Sequence, residues 1–481
     1  MTPLSHSPIV YELAAEAWLQ ELSAAAGHTV SLANVPQDTI TELQASGFDA
    51  VWLTGVWKHG ANPEKFPEAS LTASSAGQLL NHHGRQVPSA VAIYEYAVDQ
   101  RYGGDEALDA LRARLKALGI SLYLDFTPNH FAADHSWIKE HSDYLVQGGP
   151  EDIARRPDRY FRSGETIFAR GRGPETAWSG TVQVDYRKAV VRQSMALLLN
   201  TLAGMCDGLF CATASLICAG MFRITWGGDF EGEDPEFWPD AIASVKKQYP
   251  DFAMIAESNG DGSVSAAGLF QFGFDFAYDK RLYDLIIARN VPGIFVHLRA
   301  TGENQRRMVR FIEPRGETRI GSGLGNEYRR PAAVLATTLP GMRLLHQGQL
   351  QAAGAEQAGA SLAFWYRALL HSLRHPVIRM GQWTLLDVRE AWPWNWSFEK
   401  ILAYCWRLGE HRRLVVINFA DHPSQAFVSL RSLNLAEGPW RLQDEIGPDK
   451  YIRQGNELTG RGLFLYMLEF GCSIMRIERI E

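Results

Sequence analysis

The stretch Gly204-Met-Cys-Asp-Gly-Leu-Phe-Cys-Ala-Thr-Ala-Ser-Leu216 decides how the rest of the chain is read. Its apolar run from Gly208 to Cys211 fits a buried strand, and the small residues after it fit a turn into a helix-like segment. With Asp207 included, this run is one of eight. The others are Ile9–Glu12, Ala50–Leu53, Ser121–Asp125, Ala253–Ala256, Phe272–Phe276, Met308–Ile312 and Met342–His346. Helical patterns such as Glu106–Leu118 and Lys188–Leu202 lie between most of them, apolar at three- and four-residue intervals. Strands alternating with helices predict an α/β fold, a closed parallel (β/α)8 TIM barrel rather than an open sheet. Chemistry in such a barrel sits at the C-terminal ends of the strands. At strand 4 that end carries Phe210, Cys211 and Ala212, none of them an acid, a base or a strong ligand.

Two stretches depart from the barrel pattern. From His130 to Tyr186 the chain is rich in Trp, Tyr, Pro, Gly and charge with little periodicity, and reads as an excursion after strand 3. From about Pro376 the runs become strand-like without helices, at Trp383–Val388, Ile401–Trp406, Arg413–Ile417, Gln425–Leu430 and Cys472–Arg476. The expected division is a barrel of residues 1–130 and 187–375, an inserted irregular domain of 131–186 and a C-terminal β-sandwich of 376–481.

Composition narrows the function classes. With 481 residues, 46% of them hydrophobic, the chain can bury a large core. A net charge of −7 argues against a nucleic-acid surface and against a polybasic membrane patch. No run reaches the roughly 18 apolar residues of a membrane helix. Met1-Thr-Pro-Leu-Ser-His-Ser-Pro8 lacks the basic-then-apolar order of a signal peptide. Five cysteines, with Cys206, Cys211 and Cys218 close together, give neither a disulfide framework nor zinc spacing. The expectation is a reduced, cytoplasmic setting, with Cys206 and Cys211 packed as small hydrophobes in strand 4. Gly321-Ser-Gly-Leu-Gly325 has no P-loop lysine and reads as a flexible loop; the acidic run from Asp229 to Asp234 reads as solvated.

Leu124-Asp-Phe-Thr-Pro-Asn-His130 follows a strand, where Asp125, Asn129 and His130 suit either loop hydrogen bonding or a ligand. Their spacing resembles the DxxxNH signature of the α-amylase superfamily, glycoside hydrolase family 13. Tyr94-Glu-Tyr96 followed by Tyr102-Gly-Gly-Asp105 is similar to the family's segment before helix 3. Trp178 to Tyr186, with Gln183-Val-Asp185, resembles the end of its inserted domain. Ile255-Ala-Glu-Ser258 resembles its strand-5 motif, and Thr338-Leu-Pro-Gly-Met342 with Gly348-Gln349 resembles strand 8 and its loop. The resemblance implies the same barrel, insertion and C-terminal β domain.

What it implies about chemistry is less simple. A retaining glycosidase needs two carboxyls about 5–5.5 Å apart, one attacking the anomeric carbon and one protonating the leaving oxygen. The resemblance makes Glu257 the general acid/base. It aligns the family's strand-4 GxRxD with Gly208-Leu-Phe-Cys-Ala212, so Phe210 replaces the Arg and Ala212 the nucleophile. The strand-7 FxxNHD run aligns with Phe311-Ile-Glu-Pro-Arg-Gly316, leaving Pro314, Arg315 and Gly316 at the Asn, His and Asp positions. Ala212 and Gly316 then mark vacated catalytic positions, and an alanine methyl cannot attack a glycosidic carbon.

Three functions remain open. In a repurposed enzyme, Phe210 and Ala212 form an apolar floor that favours the protonated form of Glu257. Glu257 would then serve as general acid/base for proton transfer, elimination, cyclisation or dehydration of a small or sugar-derived substrate. Arg315 would recognise a carboxylate or phosphate, with Asp125 and His130 as further polar contacts. In an inactive binding or scaffold protein, Trp57, Tyr94, Tyr96, Trp137 and Trp178 would stack on sugar rings. An inverting or residual glycosidase would take Glu313 or Glu317 as its base, about 6.5–9.5 Å from the acid. The expected partner is a small-molecule or sugar-like ligand, with no nucleic acid, no membrane and no organic cofactor. Calcium, through Asn129, is implied by the resemblance alone.

Overall fold

The computed structural model describes residues 7–60, 92–173, 177–232, 235–257, 264–300, 302–313, 326–350 and 356–480. Eight parallel strands close into a barrel: β1 (Ile9–Ala14), β2 (Ala50–Thr54), β3 (Ser121–Phe126), β4 (Gly208–Cys211), β5 (Ala253–Ala256), β6 (Phe276–Tyr278), β7 (Met308–Arg310) and β8 (Met342–His346). Each pairs with its sequence neighbours, and β1 pairs with β8 from Ile9↔Arg343 to Glu12↔His346. The expected (β/α)8 barrel is found.

Alternation along each strand sorts the side chains into two cores. Ile9, Tyr11 and Leu13 of β1, Leu209 and Cys211 of β4, and Met254 and Ala256 of β5 join the outer core beneath the helices. Val10, Phe210, Ala253 and Ile255 fill the barrel with Trp52, Tyr123, Phe276, Tyr278 and Phe311. Burial on both faces makes parallel strands read as unbroken apolar runs. The interior is aromatic and tightly filled. A Cβ on Gly208 would lie 2.8 Å from both Ala253 Cβ and the Tyr123 ring, so only glycine fits where β4 begins.

Helix Gly104–Ala117 buries Leu108, Leu111 and Leu115, with Asp105 and Glu106 in its first turn and Arg114 and Lys116 in its last, matching the helix dipole. Helix Ala189–Met205 buries Val191, Met195, Leu199 and Leu202.

Several expected elements shift. The sixth strand is Phe276–Tyr278, not Phe272–Phe276. Phe272 caps helix Ala266–Gln271, and Gly273 turns the chain at φ +102° before the strand begins. Cys206 lies outside strand 4, at the C-cap of the preceding helix. The excursion is less irregular than its sequence suggested. His130–Ala132 pairs with Thr181–Gln183, and Gln147–Gly148, Thr166–Ala169 and Tyr160–Ser163 form a second small sheet.

The C-terminal region forms antiparallel sheets. We number its strands β9 (Gln382–Leu385), β10 (Val388–Glu390), β11 (Ile401–Leu408), β12 (His411–Asn418), β13 (Ser424–Val428), β14 (Pro439–Asp444), β15 (Lys450–Gln454), β16 (Leu463–Met467) and β17 (Cys472–Arg479). Six lie in the order β9-β11-β12-β17-β14-β15 and three in the order β10-β13-β16, around a shared core of Leu414, Val416, Ala426, Leu465 and their neighbours. The single run Trp383–Val388 is thus divided between two sheets. Tyr404 and Trp406 join the barrel's outer core, where Trp406 Nε1 donates to Thr338 O at 2.8 Å and fastens the large sheet to helix Asn326–Thr338.

Candidate functional site

The barrel's strand ends set the site. Glu257 follows β5, and its N–H donates to Cys211 O at 3.0 Å. Ala212 follows β4 and donates to Phe126 O at 2.8 Å. These two bonds extend the β3–β4–β5 ladder by one residue, so Ala212 and Glu257 stand side by side on adjacent strands, roughly 4.8 Å apart in backbone spacing. The alternation that turns Phe210 and Ile255 inward carries both positions to the barrel's mouth.

Below them lies Phe210, stacked on Trp52 with ring centroids 3.8 Å apart and an interplanar angle of 12°. Tyr123 and Tyr278 meet the same ring at 6.3 and 6.2 Å. Phe210 therefore forms a solid floor. Just after Ala212 the chain takes an uncommon path: Thr213 has φ +54°, left-handed for a β-branched residue, and its hydroxyl donates to Ala212 O at 2.7 Å. Trp238 Nε1 braces the turn by donating to Ala214 O at 2.9 Å.

Several residues proposed as ligand contacts are committed to the fold. Asp125 is 4% exposed, and its carboxylate accepts from Trp52 Nε1 at 3.0 Å and Gly55 N at 2.8 Å; its carbonyl accepts from Trp57 Nε1 at 2.9 Å. It thereby pins the turn that follows β2. His130 is 1% exposed, crossed by Gly171, where a Cβ would lie 2.6 Å from the His130 side chain, and faced by Trp178 at 4.9 Å. Tyr96 packs against Trp57, Phe126 and Phe131, and its hydroxyl accepts from Thr127 N at 2.8 Å. Burial drives its phenol far above the ordinary range, so it stays neutral. Trp57 is fully buried and Trp137 packs among Phe131, His135 and Tyr144, so neither is an open platform. Tyr94 stays exposed at the rim, edge-on to His135. Trp178 is half-buried.

Asn129 forms an amide pair with Gln183. Gln183 Nε2 donates to Asn129 Oδ1 at 3.1 Å and Asn129 Nδ2 donates to Gln183 Oε1 at 3.3 Å. The carbonyl oxygen that a calcium ion would use is engaged there. Among the described residues no three His, Cys, Asp or Glu side chains are grouped to hold a metal. Burial raises the Cys206 thiol to about 12 and Cys211 well above its ordinary value, so neither supplies a thiolate. Arg315, Gly316, Pro314 and Glu317 lie outside the described residues.

Two carboxylates complete the picture. Glu313, 3% exposed, is ion-paired with Arg329 at 2.8 Å. Glu12, 2% exposed near the end of β1, was passed over by sequence reasoning, although an acid closing the run Ile9-Val-Tyr-Glu12 is its visible signal. Glu12 and Asp125 thus lie in β1 and β3, and Glu257 and Glu313 just past β5 and β7, the odd-numbered strands of the barrel. Alternate strands supply alternate interior layers in this architecture. Strand β4, which Ala212 follows, lies between β3, which carries Asp125, and β5, which leads to Glu257.

Comparison with known proteins agrees with the barrel fold. Residues 38–181 match the family model for the alpha amylase catalytic domain. That span includes Asp125, Asn129, His130 and Trp178 and ends before Phe210, Ala212 and Glu257. A salivary alpha-glucosidase of Anopheles gambiae is 27% identical over 141 residues, which is 29% of this chain and 18% of that protein. The match therefore spans less than a fifth of the relative's length. The noncanonic maltogenic alpha-amylase of Thermotoga neapolitana superposes with a TM-score of 0.65 at 17% identity, covering 100% of this chain and 98% of that one. An Anoxybacillus alpha-amylase does so at 0.68 and 13% identity, covering 100% and 99%. At these identities the superpositions establish a shared fold.

Proposed function

We propose that this chain, an alpha-amylase-type barrel with glycosidase-like relatives, has lost retaining hydrolysis. In its place, Glu257 acts as a single general acid/base on a small or sugar-derived substrate. The observation that carries the reading is the pairing of Ala212 with Glu257 above the Trp52–Phe210 stack. A nucleophile is missing beside the acid, and aromatic carbon fills the level where a guanidinium would orient one. Double displacement needs that nucleophile, so the barrel is left with proton transfer: elimination, cyclisation or dehydration. The solvent-accessible part of Glu257 suits that role.

The test is incubation in D2O with maltooligosaccharides, free sugars and sugar-derived acids, reading carbon-bound deuterium in substrate or product after the exchangeable O–D positions have been washed back to O–H. Glu257→Gln is expected to abolish incorporation while the unfolding transition stays in place; an undiminished rate removes Glu257 from the chemistry. Ala212→Asp is expected to yield no useful maltoheptaose hydrolysis, because Phe210 still occupies the orienting position.

A second reading is an inactive carbohydrate-binding or scaffold protein. Asp125 and His130 favour it, since both are tied into the fold rather than left open to a ligand. Turnover absent from every substrate, together with retained sugar binding, would select it. The inverting alternative is weakened by the Glu313–Arg329 pair, which holds the candidate base in a buried ion pair. We place the protein in the cytoplasm on its cysteine usage; among the described residues no helix is long and apolar enough to cross a membrane.

A further inference from the structure

The three-stranded sheet β10-β13-β16 has one side in the C-terminal core, through Val388, Ala426, Val428 and Leu465. Its other side carries Arg389, Phe427, Phe464 and Tyr466 towards solvent. Beside it runs Trp392-Pro-Trp-Asn-Trp396, whose tryptophans are 49%, 83% and 60% exposed. Among the described residues these are the strongly exposed tryptophans of the chain, and they fall within five positions. An exposed indole forgoes a large burial free energy, so three together mark a surface that gains by being covered.

The surface is shaped and held. An open groove of about 610 Å³, within the range of roughly 300–1,000 Å³ common for ligand sites, is lined by Arg389, Glu390, Trp392, Trp396, Phe427 and Arg461. Arg461 lies over the Phe427 ring at 4.5 Å, and Arg389 Nη2 donates to Arg461 O at 2.9 Å. Asn395 Nδ2 donates to Gln425 Oε1 at 2.9 Å, while Asn395 Oδ1 accepts from Ser397 N and Oγ at 3.1 and 2.6 Å. This clamp ties the tryptophan loop to β13 and holds Trp394 at φ +71°, a left-handed conformation costly for a bulky residue. The rings are presented on a fixed frame, which lowers the ordering cost of binding.

The lining also selects among ligands. Two guanidiniums and one carboxylate share a groove with flat aromatic faces. A polyanion meets Glu390 and a protein of net charge −7; a cation meets Arg389 and Arg461. A neutral polyhydroxy ring suits all of them: its C–H face covers an indole, and its hydroxyls donate to the carboxylate and accept from the guanidiniums. We propose that this groove binds a neutral oligosaccharide, with sugar rings stacked on Trp392 and Trp396 and hydroxyls bridging Glu390 and Arg461. The proposal rests on the carbohydrate reading of the barrel for the ligand class and on the groove itself for the site.

Maltoheptaose titration of the full chain, followed by calorimetry and tryptophan fluorescence, tests it against Trp392→Ala and Trp396→Ala. Because both rings are exposed, the unfolding midpoint should hold in each variant. Each is expected to weaken binding about tenfold, with Trp392→Phe recovering part of the loss. Wild-type affinity in both alanine variants overturns the site, because binding then lies elsewhere, in the barrel for instance. No maltoheptaose binding by the wild type, or tighter binding of dextran sulfate than of maltoheptaose, overturns the ligand class. A wild-type dimer that either alanine variant dissociates overturns it in favour of contact between two copies. The deuterium assay reads the barrel independently, so a silent Glu257 leaves this result interpretable, and the reverse holds.

Discussion

Phe210 lies flat on Trp52, one ring from β4 and the other from β2, across the strand that carries Asp125. Asp125 in turn accepts from the Trp52 indole, so one tryptophan ties the barrel's aromatic floor to its buried acid. Trp52, Phe210 and Asp125 form one packing unit.

Phe210→Ala should therefore cost about 3–5 kcal/mol, as truncation of a well-packed interior aromatic does. Chemical denaturation measures it. Phe210→Arg should be at least as harmful, because it buries a guanidinium among aromatic rings. A variant near wild-type stability would mean that the interior can open to admit a polar group.

Asp125→Ala should cost about 1.5–3 kcal/mol for each charge-assisted bond lost and should alter Trp52 fluorescence. A catalytic role alone would lower turnover and leave the denaturation midpoint where it was.

Removing Arg329 isolates a buried charge. Arg329→Met should destabilise the fold by about 3–5 kcal/mol, whereas the double variant Arg329→Met with Glu313→Leu should recover much of the loss. If Glu313 were a catalytic base, Glu313→Gln would suppress turnover; retention of turnover is expected.

His135 lies flat on Phe131 at 4.0 Å, and its Nδ1 accepts from Trp137 N at 3.2 Å. Burial lowers its value from 6.5 to about 4, so the folded state prefers the neutral ring. The unfolded chain then binds more protons in that window. This contribution is complete above about pH 6.5 and is lost as the pH falls towards 4. Denaturation midpoints across that range should fall less steeply in His135→Asn, which keeps an acceptor that does not titrate. Parallel pH profiles for the two proteins would refute this.

The barrel is legible in the sequence because its strands are buried on both faces, so apolar runs such as Ala253–Ala256 stand out. The sixth strand is misplaced because Phe270, Phe272, Phe274 and Phe276 continue one apolar pattern through a helix end, a glycine turn and a strand start. Strand β16 escapes notice because Phe464 and Tyr466 face solvent, which erases its alternation. At the site, the positions of Asp125 and Glu257 are readable but the partners of Asp125 are not, since Trp52 lies 73 residues away in sequence. Glu12 is missed because one acid at the end of an apolar run resembles an ordinary strand terminus. The Trp392–Trp396 loop is missed because a count of aromatic residues does not separate exposed rings from buried ones.

The closure of β1 on β8 has a consequence for how the protein is made. Ile9 finds its Arg343 neighbour only after more than three hundred residues have been added, and such long loops close slowly. Until then β1 has β2 on one side and an open edge on the other, apolar on both faces and ready to pair wrongly. The segment 38–181, for all its family likeness, holds β2 and β3 alone of the barrel strands. Expressed by itself it should aggregate, and during synthesis the nascent chain should depend on chaperones until β8 arrives.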